Sequence, residues 1–305
     1  MSKKLLRKLF LLVICFICIG VYYNCIEADA SIKVKVENNK IVSAEGSGIL
    51  TVGKNIKHVY LAGSLRKGEL DITKFKVASG NKYFTVVDGV LFNKNKTGLI
   101  YYPNAKKGIS YTVPKTLNTI NQSAFAYNKY LENINIKDGI KSIGLCAFEH
   151  SNVRNVNIPA SVSEIDGGLF GGCTKLESVV CNANINSIPS EMFYGCSALK
   201  TFEIPDSVTS IMEFAFRGCK ELEVKIGKNI SYISNIEAFY NAAVSFEVDV
   251  DNEFYKSIDG VLYSKDGTKL EYYPYKKPGG YIMPGEVVEI NNNAFLGNTF
   301  ITGIT

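Results

Sequence analysis

A short aromatic motif returns along this chain at an almost constant interval. An Ala-Phe, Leu-Phe or Met-Phe pair recurs at steps of 23, 22, 23, 23 and 23 along the numbering, and once more after 56. The pairs are Ala124-Phe125, Ala147-Phe148, Leu169-Phe170, Met192-Phe193, Ala215-Phe216, Ala238-Phe239 and Ala294-Phe295. A fixed period in this range predicts a solenoid, in which each unit buries its apolar face only against its neighbours.

A single unit, residues 199–222, contains a short strand, a turn and a return segment. Phe202 and Ile204 alternate like the inward residues of a strand, and Pro205 ends the strand because it has no N–H to donate. Ile211 brings the chain back to the interior. Stacked strands lie about 4.8 Å apart, so equivalent side chains form ladders along one axis. We therefore expect the phenylalanines to stack as one buried column.

The last inward residue of the strand can also be followed through the chain, and its position advances mostly by 22 or 23. Two steps are longer, at 36 and 35. The series contains Val77, Val113, Ile136, Ile158, Cys181, Ile204, Ile226, Val248 and Met283. Each long step therefore indicates an insertion between two units of the array.

The two insertions, residues 83–103 and 254–274, resemble each other at a constant offset of 171 in the numbering. Each contains an Asp-Gly pair between apolar residues, Asp88-Gly89 in the first and Asp259-Gly260 in the second. This dipeptide is a strong signal for a tight hairpin, because both turn residues adopt positive φ. Each insertion is predicted to form a three-stranded meander that projects from the solenoid.

The repeat motifs resemble those of a known family. The pattern Ile-Pro-x-Ser-Val-x-x-Ile, followed by Ala-Phe-x-Gly-Cys-x-x-Leu, is represented at residues 158–165, 171–176 and 204–222. It is similar to the leucine-rich repeats of bacterial BspA-like surface proteins, and the insertions are similar to one commonly interleaved in that family. The resemblance covers roughly residues 75–305. It implies a right-handed, β-rich leucine-rich-repeat solenoid with an extracellular binding or adhesion role, and it brings no catalytic residues.

The segment 1–30 has the organisation of a secretory signal peptide. Four basic residues precede an uncharged stretch at residues 9–23, and Ala28-Asp29-Ala30 forms an A-x-A cleavage box. An uncleaved anchor and lipidation at Cys25 are the alternatives. Without this segment the net charge is +3, which does not favour a nucleic-acid partner. We expect a secreted or cell-surface protein with no membrane contact beyond the signal segment.

The two ends of the array differ. Residues 31–74 fit the repeat poorly, and their alternating apolar residues predict strands that cap one end of residues 75–305. At the other end, residues 300–305 begin a further strand. The array is therefore expected either to be cut within a repeat or to have its edge covered by a partner, and self-association through that edge is one such arrangement.

Cysteines and histidines are the candidate reactive groups. Five cysteines lie beyond the signal segment, and three of them, Cys173, Cys196 and Cys219, each follow a glycine at the repeat interval. A redox or metal cluster is one interpretation. We favour small apolar side chains that fill tight turns, because this part of the chain has no Cys-x-x-Cys and an odd number of cysteines. His58 and His150 are several coils apart, so no catalytic residue, metal site or cofactor is predicted.

Two Tyr-Tyr-Pro sequences are the candidate binding sites. The first contains Tyr101 and Tyr102, the second contains Tyr272 and Tyr273 at the equivalent place in the other insertion, and a Lys-Lys pair follows each. Because adjacent residues of a strand face opposite sides, one tyrosine of each pair should pack on the coil and the other should face solvent. Exposed aromatic rings beside cations suit contacts with proteins or glycans. The alternative is that these tyrosines only brace the meander.

These observations together predict a non-catalytic interaction protein. It would present an extended face to extracellular proteins or glycans of a host, a matrix or a neighbouring cell. The alternative hypothesis is a structural spacer that displays a further domain beyond residue 305.

Overall fold

Short parallel strands dominate the fold. A computed structural model describes residues 32–234, 237–242 and 245–305, so the predicted signal segment lies outside the described residues. The described part of the chain contains 26 strands and a single short helix. Its core consists of one long cluster through the repeat array and two smaller clusters, one at each end.

The N-terminal region forms a separate sheet, and its apolar cluster also includes side chains of the first insertion. A hairpin with positive φ at Asn38 and Asn39 joins the first two strands, and the last strand pairs in parallel with the second. The elements are β1 (Lys33–Glu37), β2 (Lys40–Val52), β3 (His58–Val59), α1 (Ala62–Arg66) and β4 (Leu70–Val77). The prediction that Val77 heads the column of array strands is therefore wrong: Val77 pairs with Val52, because the long β2 supplies its partner.

Two antiparallel meanders form where the similarity between the insertions predicts them. The first contains β5 (Phe84–Val87), β6 (Val90–Asn93) and β7 (Gly98–Tyr101), and positive φ at Asp88 and Gly89 confirms the predicted turn. The meanders do not project from the array, however. The last strand of each pairs in parallel with a return strand, because a free strand edge would leave its N–H and C=O groups unpaired.

The repeat array places one strand of each coil in a single seven-stranded parallel sheet. This sheet contains β8 (Ser110–Thr112), β10 (Asn133–Asn135), β12 (Asn155–Ile158), β14 (Ser178–Cys181), β16 (Thr201–Phe202), β18 (Glu223–Ile226) and β20 (Ser245–Val248). Register pairs such as Ile158 with Cys181 and Ile226 with Val248 confirm the predicted ladder of inward residues. Equivalent residues therefore stack directly on one another.

Shorter strands form the return side of each coil. They are β9 (Thr119–Ile120), β11 (Ser142–Ile143), β13 (Glu164–Ile165), β15 (Ser187–Ile188), β17 (Ser210–Ile211) and β19 (Tyr232–Ile233). The first three continue the sheet of the first meander, and the last three form a sheet of their own. The second meander and the chain end then contribute β21 (Tyr255–Ile258), β22 (Val261–Ser264), β23 (Lys269–Tyr272), β24 (Gly279–Tyr281), β25 (Glu289–Ile290) and β26 (Ile301–Ile304).

The predicted phenylalanine column fills the core between the two sides. From Phe125 to Phe239, successive rings are stacked with centroids 4.9, 5.4, 5.7, 5.3 and 5.4 Å apart. All six rings are buried. The spacing follows from the distance between stacked strands, so the solenoid prediction is confirmed at the level of individual side chains.

Candidate functional site

The first tyrosine pair does not present an exposed ring. Tyr101 packs on Phe75 in the N-terminal cluster, and its hydroxyl accepts a hydrogen bond from the N–H of Leu61 at 3.1 Å. Tyr102 stacks on Phe125 at 5.4 Å and belongs to the array core. The two rings do point to opposite sides, but only 7% of Tyr101 and 3% of Tyr102 are exposed. The expected outward tyrosine is buried because a core covers each side of the meander.

The second pair repeats this arrangement at the other end of the array. Tyr272 lies edge-on to Phe239 at 5.3 Å, and its hydroxyl donates to the carbonyl oxygen of Ser234 at 2.6 Å. Tyr273 packs on Tyr281 and Phe295 in the C-terminal cluster. Both tyrosines are buried. Each Tyr-Tyr pair therefore joins the preceding apolar cluster to the following one, and the prediction that one tyrosine of each pair faces solvent is wrong.

One lysine of each Lys-Lys pair is engaged within its meander. The ammonium group of Lys106 lies 3.1 Å from the carboxylate of Asp88, and that of Lys277 lies 2.7 Å from the carboxylate of Asp259. Both lysines also donate to the carbonyl oxygen of the same aspartate. Lys106 and Lys277 thus hold the two Asp-Gly turns in place.

The three cysteines at the repeat interval are buried and hydrogen-bonded to the backbone of the array. Cys173, Cys196 and Cys219 are free and buried, and each thiol donates to the carbonyl oxygen of the ladder phenylalanine in the preceding coil, at distances of 2.9, 3.2 and 3.1 Å. Burial raises the pKa of all three thiols, because an apolar environment disfavours the thiolate. These groups are therefore poor nucleophiles that fill the turn, as the favoured interpretation holds.

A candidate binding surface lies on the outer face of the seven-stranded sheet. Along β8, β10, β12 and β14, inward apolar residues alternate with outward residues, which are polar except for Val180, and the parallel register aligns the outward residues in two rows. The first row is Ser110, Asn133, Asn155 and Ser178, and the second is Thr112, Asn135, Asn157 and Val180. We call these eight side chains the amide face.

A shallow groove of about 360 Å³ runs over the amide face, and all eight of its side chains line the groove. Hydrogen bonds connect some of them to their neighbours. The hydroxyl of Ser178 donates to Asn155 Oδ1 at 2.7 Å, and Asn182 Nδ2 donates to Asn157 Oδ1 at 3.3 Å. The groove therefore has a polar floor whose side chains are partly held in place.

Charge distinguishes the amide face from the rest of the same sheet. None of its eight side chains is ionisable, whereas β18 and β20 carry Glu223, Lys225 and Glu247, the last two of which form an ion pair at 3.5 Å. Just before the strands, Arg154 pairs with Glu132 on one side and with Glu177 on the other, so its charge is balanced. A neutral region thus meets a charged region within one continuous sheet.

Sequence reasoning followed the inward residues of the strands and missed this face. The signal is present in Asn133-Ile134-Asn135 and in Asn155-Val156-Asn157, two polar-apolar-polar triplets separated by one repeat. Tracing the outward positions with the same period would have placed the four amides side by side.

Within residues 32–234, 237–242 and 245–305, no cluster of three or more His, Cys, Asp or Glu residues has a geometry that could hold a metal ion. Over the same described ranges, no helix has the length and apolar composition needed to span a bilayer.

A family model described as the BspA type leucine-rich repeat region matches six copies, over residues 101–223 and 186–269, which together exceed half of the chain. This chain belongs to the BspA-type leucine-rich repeat family. The match covers the coils with the phenylalanine column and the seven-stranded sheet, so the resemblance noted from the sequence is confirmed.

Solved structures of similar proteins support the BspA-type fold. A leucine-rich repeat protein from Eubacterium ventriosum is 26% identical with a TM-score of 0.53, over 62% of this chain and 55% of its own. A leucine rich cell surface protein from Faecalibacterium prausnitzii is 20% identical with a TM-score of 0.52, over 94% of this chain and 76% of its own. The chain thus spans about half the length of the Eubacterium protein. A search of curated proteins found no match.

Proposed function

We propose that this BspA-type protein is an exported, non-catalytic interaction module that binds extracellular proteins or glycans through its repeat array. The observation that carries the proposal is the seven-stranded sheet, whose outward side chains form continuous rows that the core does not use. Stacked repeats create extended binding surfaces of this kind. Affinity would depend on the chemistry along the rows, because contact area alone does not determine it.

Two observations support export. The segment 1–30 has the basic, apolar and A-x-A organisation of a signal peptide. The Faecalibacterium protein that shares the fold is described as a cell surface protein. Four of the five cysteines beyond the signal segment are buried, which is compatible with an oxidising compartment.

The test combines fractionation with a binding screen of the full chain. Export predicts recovery outside the cytoplasm with a new N-terminus at Ser31, and an Ala28→Leu/Ala30→Leu variant should retain the segment. The recovered protein is then screened against immobilised matrix glycoproteins and oligosaccharides. Retention in the cytoplasm together with no binding to either class contradicts the proposal, whereas export without any ligand favours the spacer hypothesis.

A further inference from the structure

We propose that the amide face of β8, β10, β12 and β14 binds an uncharged glycan chain that runs across the strands. The inference rests on the proposed function for its extracellular setting and adds the chemical class of the ligand and the place where it binds. The groove over these strands holds about 360 Å³ and is lined by all eight side chains of the amide face.

Four carboxamides supply the hydrogen-bonding groups. The side chains of Asn133 and Asn135 make no hydrogen bond to the described residues, while Asn155 and Asn157 use only their Oδ1 atoms, as acceptors. Each of the four NH2 groups therefore retains its donors, and two of the four carbonyl oxygens are uncommitted. Sugar hydroxyls both accept and donate hydrogen bonds, so they can pair with these NH2 groups and carbonyl oxygens.

The register gives these groups a regular spacing. Asn133 lies beside Asn155 and Asn135 beside Asn157 in the parallel ladder, which separates the amides by about 4.8 Å along the array. This spacing is close to the length of one pyranose ring, so consecutive sugar units would meet chemically equivalent groups. The four strands span about 14 Å, which accommodates roughly three units.

Composition argues against other polymers as the occupant. Protein interfaces concentrate their binding energy in Trp, Tyr and Arg, and none of the eight outward residues is of these types. An added peptide strand would need free backbone groups, but the parallel ladder already uses those of the interior strands. Nucleic acids and acidic glycans need cations, and the nearby Arg154 is held between Glu132 and Glu177.

The decisive variant removes amide donors while keeping the existing contacts. In Asn155→Asp/Asn157→Asp, the carboxylates can still accept the hydrogen bonds from Ser178 and Asn182, but both NH2 groups are lost. Asn118→Asp/Asn186→Asp is the matched control, because it makes the same exchanges at exposed sites on the return side of the coils. Circular dichroism and the urea midpoint establish that both variants fold.

The probe is an array of neutral oligomers of glucose, mannose and N-acetylglucosamine, together with sialylated and sulfated oligosaccharides. We expect the full chain to bind at least one neutral oligomer, with a Kd that does not change between low and high salt. The Asn155→Asp/Asn157→Asp variant should lose about tenfold or more in affinity, and the control variant less than about twofold.

Three results overturn the inference: no neutral oligomer is bound, only acidic ones are bound, or the amide-face variant binds as tightly as the control. The proposed function is judged separately by the matrix glycoproteins of the first screen. Binding to protein alone overturns the glycan inference and leaves the interaction module standing, whereas no ligand in either class overturns both.

Discussion

Truncation of Phe193 tests whether the aromatic column is a continuous core. The ring is fully buried between Phe170 at 5.7 Å and Phe216 at 5.3 Å, and Phe202 lies tilted against it at 4.7 Å. Burial of a phenylalanine contributes about 1.5–3 kcal/mol, and each aromatic pair adds about 0.5–1.5 kcal/mol. The neighbouring rings are held by their own coils and cannot collapse into the space. We therefore expect Phe193→Ala to lower the free energy of unfolding by about 3–5 kcal/mol.

Urea denaturation followed by circular dichroism measures this loss, and tyrosine fluorescence provides a second probe because the chain has no tryptophan. Tyr194→Ala is the matched control. Tyr194 follows Phe193 directly, but the residue is 43% exposed, and its ring centroid lies 5.6 Å from the guanidinium group of Arg217. An exposed cation–π contact is weak, so this variant should lose about 1 kcal/mol or less.

The slope of the urea transition carries further information. Each coil packs only on its neighbours, so a weakened central coil should let the two halves of the array unfold separately and lower the apparent m-value. A loss below about 1 kcal/mol for Phe193→Ala, with an unchanged slope, would refute the assignment of this ring to a continuous core.

Three other perturbations follow from particular contacts. Gly172→Ala should destabilise the fold, because a Cβ there would overlap the imidazole ring of His150, and His150→Ala should restore part of the loss in urea midpoint. Stability should fall as the pH rises from about 9 to about 12. Burial raises the pKa of the Cys173 thiol from 9.0 to about 12, so the unfolded chain loses this proton first. In urea titrations at stepped pH, Cys173→Ser should make the fall shallower. Asn81→Asp should lower the free energy of unfolding, measured by thermal denaturation, by about 2–4 kcal/mol. The reason is that the Asn81 amide donates two buried hydrogen bonds, to the carbonyl oxygens of Gly53 and Ile56.

Each of these expectations has its own control. Gly195→Ala shares the positive φ of Gly172, but its Cβ would be 3.8 Å from the nearest atom, so an equal loss at both glycines would contradict the steric argument. Ser151 occupies the position equivalent to Cys173 in the preceding coil, which supports serine as a tolerated substitute, and an unaltered alkaline profile would contradict the role of the thiol. Asn252 makes the same pattern of hydrogen bonds before the second meander, and a harmless Asn252→Asp would contradict the reasoning for Asn81.

The tyrosine pairs show where sequence reasoning succeeds and where it stops. Alternation along a strand correctly predicts that Tyr101 and Tyr102 point to opposite sides. It does not predict exposure, because exposure depends on what covers each side. Here the N-terminal sheet lies over one side and the array core over the other, so both rings are buried.

For the amide face, the local sequence predicts which residues point outward but not the surface that they form together. The alternating triplets around Ile134 and Val156 make Asn133 and Asn155 outward residues on sequence grounds alone. Their arrangement into a neutral groove depends on the register between strands of successive coils. The charge boundary also depends on this register, because Lys225 and Glu247 meet only when β18 and β20 pair.

The sequence by itself determined the repeating coil, the phenylalanine column and the two Asp-Gly hairpins. Each of these follows from a period or from a local steric rule that is written into consecutive residues. Only the tertiary structure decided that the meanders join the return sheet, that both members of each Tyr-Tyr pair are buried, and that four amides line one groove. The physical reason is that burial and surface composition are set by contacts between distant segments, which a local pattern does not specify.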